Sequence, residues 1–382
     1  MSIKKYQMEL KVITSVHIGG ADYKCEFKSN QYIYHNNKLH IVDGLKFMEL
    51  LIKNNLYDDY IRYIEENTKK GYRQDKKVKL YDFIVDKNLI PSIPEISKRV
   101  FTLDKRIKNV NDVKLLLRNS QDRPYIPGSS IKGAIVNSLI INYIINHREE
   151  FKIERNKILN LCRFVNNDNK AKKSKQEIIK IVNEIENKIL YQGEKSKIKR
   201  FGLSVSDTFL EKNVTTSILQ DYDEELAESK INPRTVYREY MDKDSKFKFF
   251  INIDYSMFSK SMLKIKDIKD IRRAIGNATN YIVKEQLEQT ITDDIKGGLI
   301  LGANTGFYQK TVVHALFDNE VEKINVMKVL MYKSSRNKIG NHLNDKISLK
   351  VVNKIKINNQ YKLAGVVKIL EIGEKDVSET KY

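Results

Sequence analysis

The first segment of the chain alternates apolar and polar residues. From residue 6 to residue 16, apolar side chains occupy every second position at Tyr6, Met8, Leu10 and Val12. This period of two predicts a β-strand with one buried face. The strand is followed by His17-Ile-Gly-Gly20, whose two glycines, Gly19 and Gly20, permit a sharp turn or a close backbone contact with a ligand.

A β-hairpin and a helix are predicted next. Two short β-prone runs flank Asn36-Asn37, a pair that tolerates the positive φ angles of a tight hairpin turn. Asp43 is placed to cap a helix over residues 44–54. We expect that helix to bury four apolar side chains, Leu45, Met48, Leu51 and Ile52.

Later segments alternate between helices and strands. Apolar residues at helical spacing predict an amphipathic helix in a polar insertion at 166–200 and a long helix at 265–290. Consecutive strands are expected at 235–240 and 247–253, and the acidic segment 221–228 is predicted to be a loop. The chain is therefore assigned to the α+β class, and the interleaving suits ferredoxin-like (RRM-type) βαββαβ units. A boundary at the acidic segment gives a first unit at 1–225, with a helical insertion, and a second at 226–382.

The central stretch Tyr125-Ile-Pro-Gly-Ser-Ser-Ile-Lys-Gly-Ala-Ile135 combines a turn with a helix start. Gly128 follows Pro127 in the turn, and Ser129 and Ser130 are suitable N-caps for a helix over 131–146. Lys132 is the only charge in that helix, and Gly133 leaves room for another backbone. A helix start with a lysine in its first turn can bind phosphate. The alternative is a tight turn leading into a core helix.

A second glycine-rich segment lies late in the chain. Gly297, Gly298, Gly302 and Gly306 are flanked by Lys296 and Lys310. Backbone without side chains can approach a sugar–phosphate chain closely, so this segment is a candidate for nucleic-acid contact. Phe307 and Tyr308 could stack on a base or belong to the core. The alternative for the glycines is a flexible connector between strands.

Composition indicates a polyanionic partner. Lysine and arginine number 69 against 49 acidic residues, which gives a formal charge of +20 over 382 residues. The chain has no apolar run long enough for a transmembrane helix, and its start lacks the pattern of a signal peptide, so we expect no membrane contact and a cytoplasmic location. Cys25 and Cys162 are too isolated to predict a disulfide or a zinc site.

Four motifs together resemble a known protein family. The central Ile-Pro-Gly-Ser-Ser-Ile-Lys-Gly-Ala is similar to the signature of the RAMP superfamily, the RNA-binding subunits of CRISPR effector complexes. Three further segments narrow the resemblance to the terminal capping subunits, the fifth Csm proteins, of type III-A complexes: Ser15-Val-His-Ile-Gly-Gly20, Phe201-Gly-Leu-Ser-Val-Ser-Asp207 and Gly297-Gly-Leu-Ile-Leu-Gly-Ala-Asn-Thr-Gly-Phe307. The resemblance implies RAMP units of ferredoxin-like fold and contacts to the RNA backbone.

The resemblance also implies partners. They are the 3′ region of a CRISPR RNA, the repeated backbone RAMP subunit, the small helical subunits and host nucleases that trim the guide. The predicted RNA-binding residues are His17, Gly19, Gly20, Gly128, Ser129, Ser130, Lys132, Gly133, Lys296, Gly297, Gly298, Gly302, Gly306 and Lys310.

Catalysis is not predicted. Some RAMP nucleases use an early histidine without metal, which makes a precursor-processing endoribonuclease with His17 as general base the alternative. No second histidine lies in any motif, and Asp22 does not lie in a segment that matches a catalytic loop. Asp207 is more simply a helix cap or a salt-bridge partner. We therefore expect no catalytic residue, metal or cofactor. A third hypothesis is a structural subunit whose glycine motifs pack against protein.

Overall fold

The computed structural model describes most of the chain. The described residues are 3–20, 25–71, 78–104, 107, 110–163, 165, 168–191, 201–209, 214–226, 228, 230–286, 295–306, 308–331 and 351–375. Asp22, Phe307 and residues 72–77 lie outside them.

Helices and strands alternate along the described chain. The α-helices are α1 (Gly44–Lys53), α2 (Tyr57–Gly71), α3 (Leu80–Asp86), α4 (Gly128–Asn146), α5 (Lys152–Arg163), α6 (Asp168–Tyr191), α7 (Tyr255–Phe258), α8 (Ile268–Gln286) and α9 (Glu320–Leu330). The strands are β1 (Ile3–Val12), β2 (Glu26–Phe27), β3 (Tyr32–His35), β4 (Lys38–Val42), β5 (Ser97–Thr102), β6 (Asp112–Lys114), β7 (Leu203–Val205), β8 (Thr216–Glu225), β9 (Lys230–Met241), β10 (Lys246–Asp254), β11 (Leu299–Ile300), β12 (Val351–Ile357), β13 (Gln360–Lys362) and β14 (Val366–Lys375). The predicted α+β class is confirmed.

The central sheet, sheet A, joins the two ends of the chain. Its order is β11-β14-β1-β10-β7, and each neighbouring pair is antiparallel. As the alternation predicts, β1 buries Tyr6, Met8, Leu10 and Val12. In chain order, β1, α4, β7, β10, α8 and β14 follow the βαββαβ succession, with long insertions between them. A second unit of this kind stays a prediction.

Two further sheets complete the β-structure of the described residues. Sheet B has the order β13-β12-β8-β9-β6-β2, and sheet C has the order β3-β4-β5. Residues 221–225 of the acidic segment form the end of β8, so the loop prediction for 221–228 is wrong over these strand residues. Pairing with β9 and β12 satisfies its backbone. The proposed boundary at residue 225 stays a prediction, and the β8–β9 hairpin spans it.

Helix α4 lies at the centre of the molecule because it is apolar on nearly all sides. One face contributes Ile131, Ile135 and Leu139 to the core beneath sheet A, with Phe249 and Ile271. Another face packs its C-terminal half into a helical core. That core includes buried residues of α5, α6 and α9, namely Ile158, Ile178, Ile185, Val326 and Met327. The amphipathic helix predicted within 166–200 is confirmed as α6 over 168–191.

Helices α1 to α3 form a small lobe on sheet C. Its hairpin turns at Asn36 and Asn37, both at positive φ as predicted. Helix α1 begins after Asp43, whose carboxylate accepts hydrogen bonds from two helix N–H groups. The predicted buried face of α1 is wrong except at Leu51. Phe47 and Leu51 pack into the lobe, whereas Leu45 is 79% exposed and Met48 and Ile52 face solvent.

Candidate nucleic-acid interface

Three glycine-containing segments meet in one groove. The groove has a volume of about 510 Å³ and is formed by the turn after β1, the first turns of α4 and the loop after β11. We call it the glycine groove. Its lining includes seven of the predicted residues: His17, Gly19, Ser129, Ser130, Gly133, Gly302 and Lys310. The sequence places these segments far apart, and the fold brings them together.

The start of α4 is held by an acidic side chain. The helix begins at Gly128 with Pro127 as its N-cap, so Ser129 and Ser130 lie in the first turn and the prediction that they cap the helix is wrong. The Gly128 N–H donates to Asp207 Oδ1 at 2.8 Å. A Cβ on Gly128 would overlap the backbone of Val205 and Ser206. The Asp207 carboxylate thus occupies part of the predicted phosphate position at the helix start. Position 128 requires glycine because it packs tightly against the segment after β7.

The late loop packs directly on the turn after β1. Gly302 has a φ of +96°, and a Cβ built on it would lie 2.5 Å from the His17 carbonyl oxygen. The next N–H, that of Ala303, donates to the same oxygen at 2.9 Å. The positive φ and this close approach both exclude a side chain, which explains the glycine. The contact fixes the width of the groove at this end.

His17 forms a buried wall of the glycine groove. Its Nδ1 lies 2.7 Å from the Glu239 carbonyl oxygen. A carbonyl can only accept, so Nδ1 carries the proton. Burial lowers the pKa of His17 to about 4, so the ring is neutral at physiological pH. The other ring nitrogen, Nε2, faces Gly19. A neutral ring with so low a pKa is a poor general base near neutrality.

A buried polar network holds the late loop on sheet B. Asn304, at a φ of +59°, donates through Nδ2 to the Tyr240 hydroxyl at 3.2 Å. Tyr240 donates in turn to Asp221 Oδ1 at 2.8 Å, and Asp221 Oδ2 accepts from Arg238 Nε at 2.7 Å. Burial next to Asp221 raises the pKa of Tyr240. Tyr240 therefore remains protonated. The late loop is held by this neutral hydroxyl, whose acceptor Asp221 is paired with Arg238.

The other seven predicted residues lie outside the groove. Gly298 is buried against Val366, and Gly128 lies beneath the helix start. Lys132 is half-buried and does not line the groove. Gly297 lines a separate cavity of about 330 Å³ with Lys269, Arg272 and Lys368. The residues that the groove does not include are Gly20, Gly128, Lys132, Lys296, Gly297, Gly298 and Gly306.

Three polar side chains that line the groove were not predicted, namely Asn137, Thr305 and Gln309. Asn137 lies one helical turn after Gly133, so periodicity along α4 could have identified it. Its Nδ2 donates to the Gln309 carbonyl oxygen at 2.7 Å. Gln309 donates through Nε2 to the Thr305 carbonyl oxygen, and its buried Oε1 has no hydrogen-bond partner among the described residues.

Other chemistry is sparse in the described part of the chain. No cluster of three or more histidine, cysteine or acidic side chains there could hold a metal ion. Within the same ranges, no helix is long and apolar enough to cross a membrane. The groove therefore offers backbone, hydroxyl, amide and lysine groups to a ligand.

Comparison with known proteins identifies a family. A sequence model of the RAMP superfamily matches residues 9–308. The CRISPR system Cms protein Csm5 of Streptococcus thermophilus is 22% identical over 320 residues, which cover 81% of this chain and 80% of that protein. The CRISPR system Cms protein Csm5 of Enterococcus italicus is 31% identical over 155 residues. That match covers 35% of this chain and 42% of the Enterococcus protein, less than half the length of each.

A solved structure has the same fold over most of the chain. It is a chain in the cryo-EM structure of a Csm–crRNA–target RNA ternary complex of a type III-A CRISPR–Cas system. The TM-score is 0.60 at 16% identity, and the alignment covers 96% of this chain and all of that one.

Proposed function

Because the chain belongs to the RAMP superfamily, we propose that it is the terminal subunit of a type III-A CRISPR effector complex. In this role it binds the 3′ region of the CRISPR RNA and closes one end of the backbone filament. The relatives named Csm5 and the fold shared with a chain of a Csm–crRNA complex support this assignment. It acts by binding and not by cleaving RNA.

The glycine groove is the observation that carries the proposal. Exposed Gly133 leaves room for a sugar–phosphate chain, and Lys310 supplies positive charge at the rim. Such contacts bind the backbone without reading bases, which suits guides of varying sequence.

The proposal includes protein partners. The backbone RAMP subunit and the small helical subunits are its neighbours in the complex, and host nucleases that trim the guide act at the end it occupies. The exposed stripe Leu45, Met48 and Ile52 on α1 is available for protein contact.

The test uses two substitutions at one glycine. A Cβ on Gly133 would meet nothing within 4 Å, so this position accepts a side chain without internal overlap. Gly133→Leu places a bulky group in the groove, whereas Gly133→Ala fills little of it. We expect complexes reconstituted with Gly133→Leu to lose cross-links between this subunit and the guide 3′ region, and those with Gly133→Ala to keep them. Equal cross-linking by both variants would contradict a guide path through the groove.

A further inference from the structure

The face of sheet A opposite its core is open. On β1 the side chains at even positions from Tyr6 are buried, and those at Lys5, Gln7, Glu9 and Lys11 are half-buried on the other face. Pairing with β10 places Lys246, Lys248, Phe250 and Asn252 on the same face. Helices α4 and α8 pack on the core side, so the glycine groove and this face are different surfaces.

An aromatic pair lies on this open face. Phe209 exchanges two backbone hydrogen bonds with Lys248, which extends the sheet beside β10. Its ring stacks on Phe250 with 5.7 Å between centroids and 30° between planes. Phe209 is nevertheless 41% exposed. Lys5 Nζ lies 4.6 Å from the centroid of Phe250. An exposed ring with an adjacent cation can bind both parts of a nucleotide, the base and the phosphate.

A row of lysines crosses the same face. Lys11 lies directly between Lys246 of β10 and Lys368 of β14. Like charges opposite one another on adjacent strands destabilise a sheet. Asp244 and Glu9 offset part of the repulsion by pairing with Lys11 at 2.9 Å and Lys246 at 3.0 Å. Five lysines, at positions 5, 11, 246, 248 and 368, still give this face a surplus of positive charge.

The row continues around the edge of the sheet. Lys368 also lines the 330 Å³ cavity with Lys269, Arg272 and Gly297. Along β10, Lys246 of the lysine row and Phe250 are four residues apart, which corresponds to about 14 Å. A single-strand site of about 4–16 nucleotides is long enough to cover that distance. The cationic row and the aromatic pair can therefore contact one strand together.

We propose that this open face, the Phe209–Phe250 platform with the Lys246–Lys11–Lys368 row, is a second binding surface for single-stranded RNA. An unpaired base stacks on Phe209, and the lysine row contacts phosphates beyond it. The identity of the strand as RNA rests on the proposed function. The surface itself rests on contacts separate from the glycine groove.

The test uses the full chain and a 4-thiouridine-substituted oligouridine of about ten nucleotides, within the usual range of single-strand sites. Phe209→Tyr keeps an aromatic ring, whereas Phe209→Leu keeps an apolar side chain without one. We expect Phe209→Leu to weaken binding about fivefold or more and Phe209→Tyr to leave it unchanged. Cross-linked peptides should contain Phe209 or Phe250. Ile153→Ala, which removes an exposed apolar side chain on α5, is the matched control, and all variants should keep the wild-type melting temperature.

Several results would overturn the platform. Equal affinity of Phe209→Leu and Phe209→Tyr for oligouridine would show that stacking does not contribute. If the wild-type protein did not bind oligouridine, the proposed binding surface would be refuted. If Phe209→Leu binds RNA normally but fails to enter the complex, the face is a protein interface. Cross-links confined to the groove would refute the platform and leave the proposed function intact. The Gly133 variants in the assembled complex test the proposed function separately.

Discussion

Gly302 packs against the main-chain carbonyl of His17, at a distance that leaves no room for a side chain. This contact connects the turn after β1 to the late glycine loop, and the hydrogen bond from Ala303 reinforces it. The two segments come from opposite ends of the chain. The width of the glycine groove therefore depends on the complete fold.

Two glycines of the groove should respond oppositely to alanine. Gly302→Ala forces a Cβ into the His17 carbonyl at a φ of +96°, so we expect a loss of about 1–3 kcal/mol in the free energy of unfolding. Gly133→Ala lies within α4 with open space around it, so it should gain about 0.5–1 kcal/mol. Urea denaturation of both variants measures the difference. An unchanged free energy of unfolding in Gly302→Ala would mean that the late loop relaxes away from His17.

Stability should depend on pH through His17. Burial lowers its pKa to about 4 in the folded protein from 6.5, so the unfolded chain binds more protons between these values. Stability is then complete above pH 6.5 and falls as the pH drops towards 4, by roughly 3 kcal/mol from this residue. His17→Gln should show a smaller drop than the wild type over that interval. The free energy of unfolding is measured by denaturant titration at each pH. If it falls equally with pH in the wild type and in His17→Gln, the His17 ring is not buried in its neutral form.

Lys310 should matter more for RNA binding than Lys132. Lys310 lines the groove and Lys132 does not. Loss of one phosphate contact to a single strand changes the slope of log K against log salt by about 0.7. We expect this change in Lys310→Ala and little change in Lys132→Ala, measured by fluorescence anisotropy across a salt series. The reverse order would place the RNA on the flank of α4 instead of in the groove.

Removing the negative charge at the start of α4 should strengthen RNA binding. Asp207→Asn keeps an oxygen that can accept from the Gly128 N–H, so the helix cap is retained. A neutral amide repels phosphate less than a carboxylate does. We expect tighter binding at low salt, with the difference from the wild type disappearing at high salt. An affinity that does not change at any salt concentration would indicate that RNA does not approach this helix end.

The purified protein should not cleave RNA. Its groove histidine is neutral and buried, and the described residues hold no metal-binding cluster. Repeat-containing RNA incubated with the protein, with and without Mg²⁺, should stay intact on denaturing gels. Cleavage that His17→Gln abolishes would instead support the endoribonuclease hypothesis.

The sequence by itself determined several secondary-structure elements and the family. Alternation fixed β1, because a strand with one buried face requires apolar residues at every second position. The motif at the start of α4 led to the correct family. These features are local, so residue spacing alone reveals them.

Tertiary structure decided which local features face a ligand. Gly128, Gly298 and Gly302 are explained by close packing, which no spacing reveals, whereas Gly133 is open. The apolar side chains of α1 at Leu45 and Ile52 face solvent, because the lobe beneath the helix has room only for the face that carries Phe47 and Leu51. The Phe209–Phe250 pair and the lysine row exist only through strand register, since their members come from distant strands. Helical and strand periods specify which residues share a face, but only long-range packing specifies what that face meets.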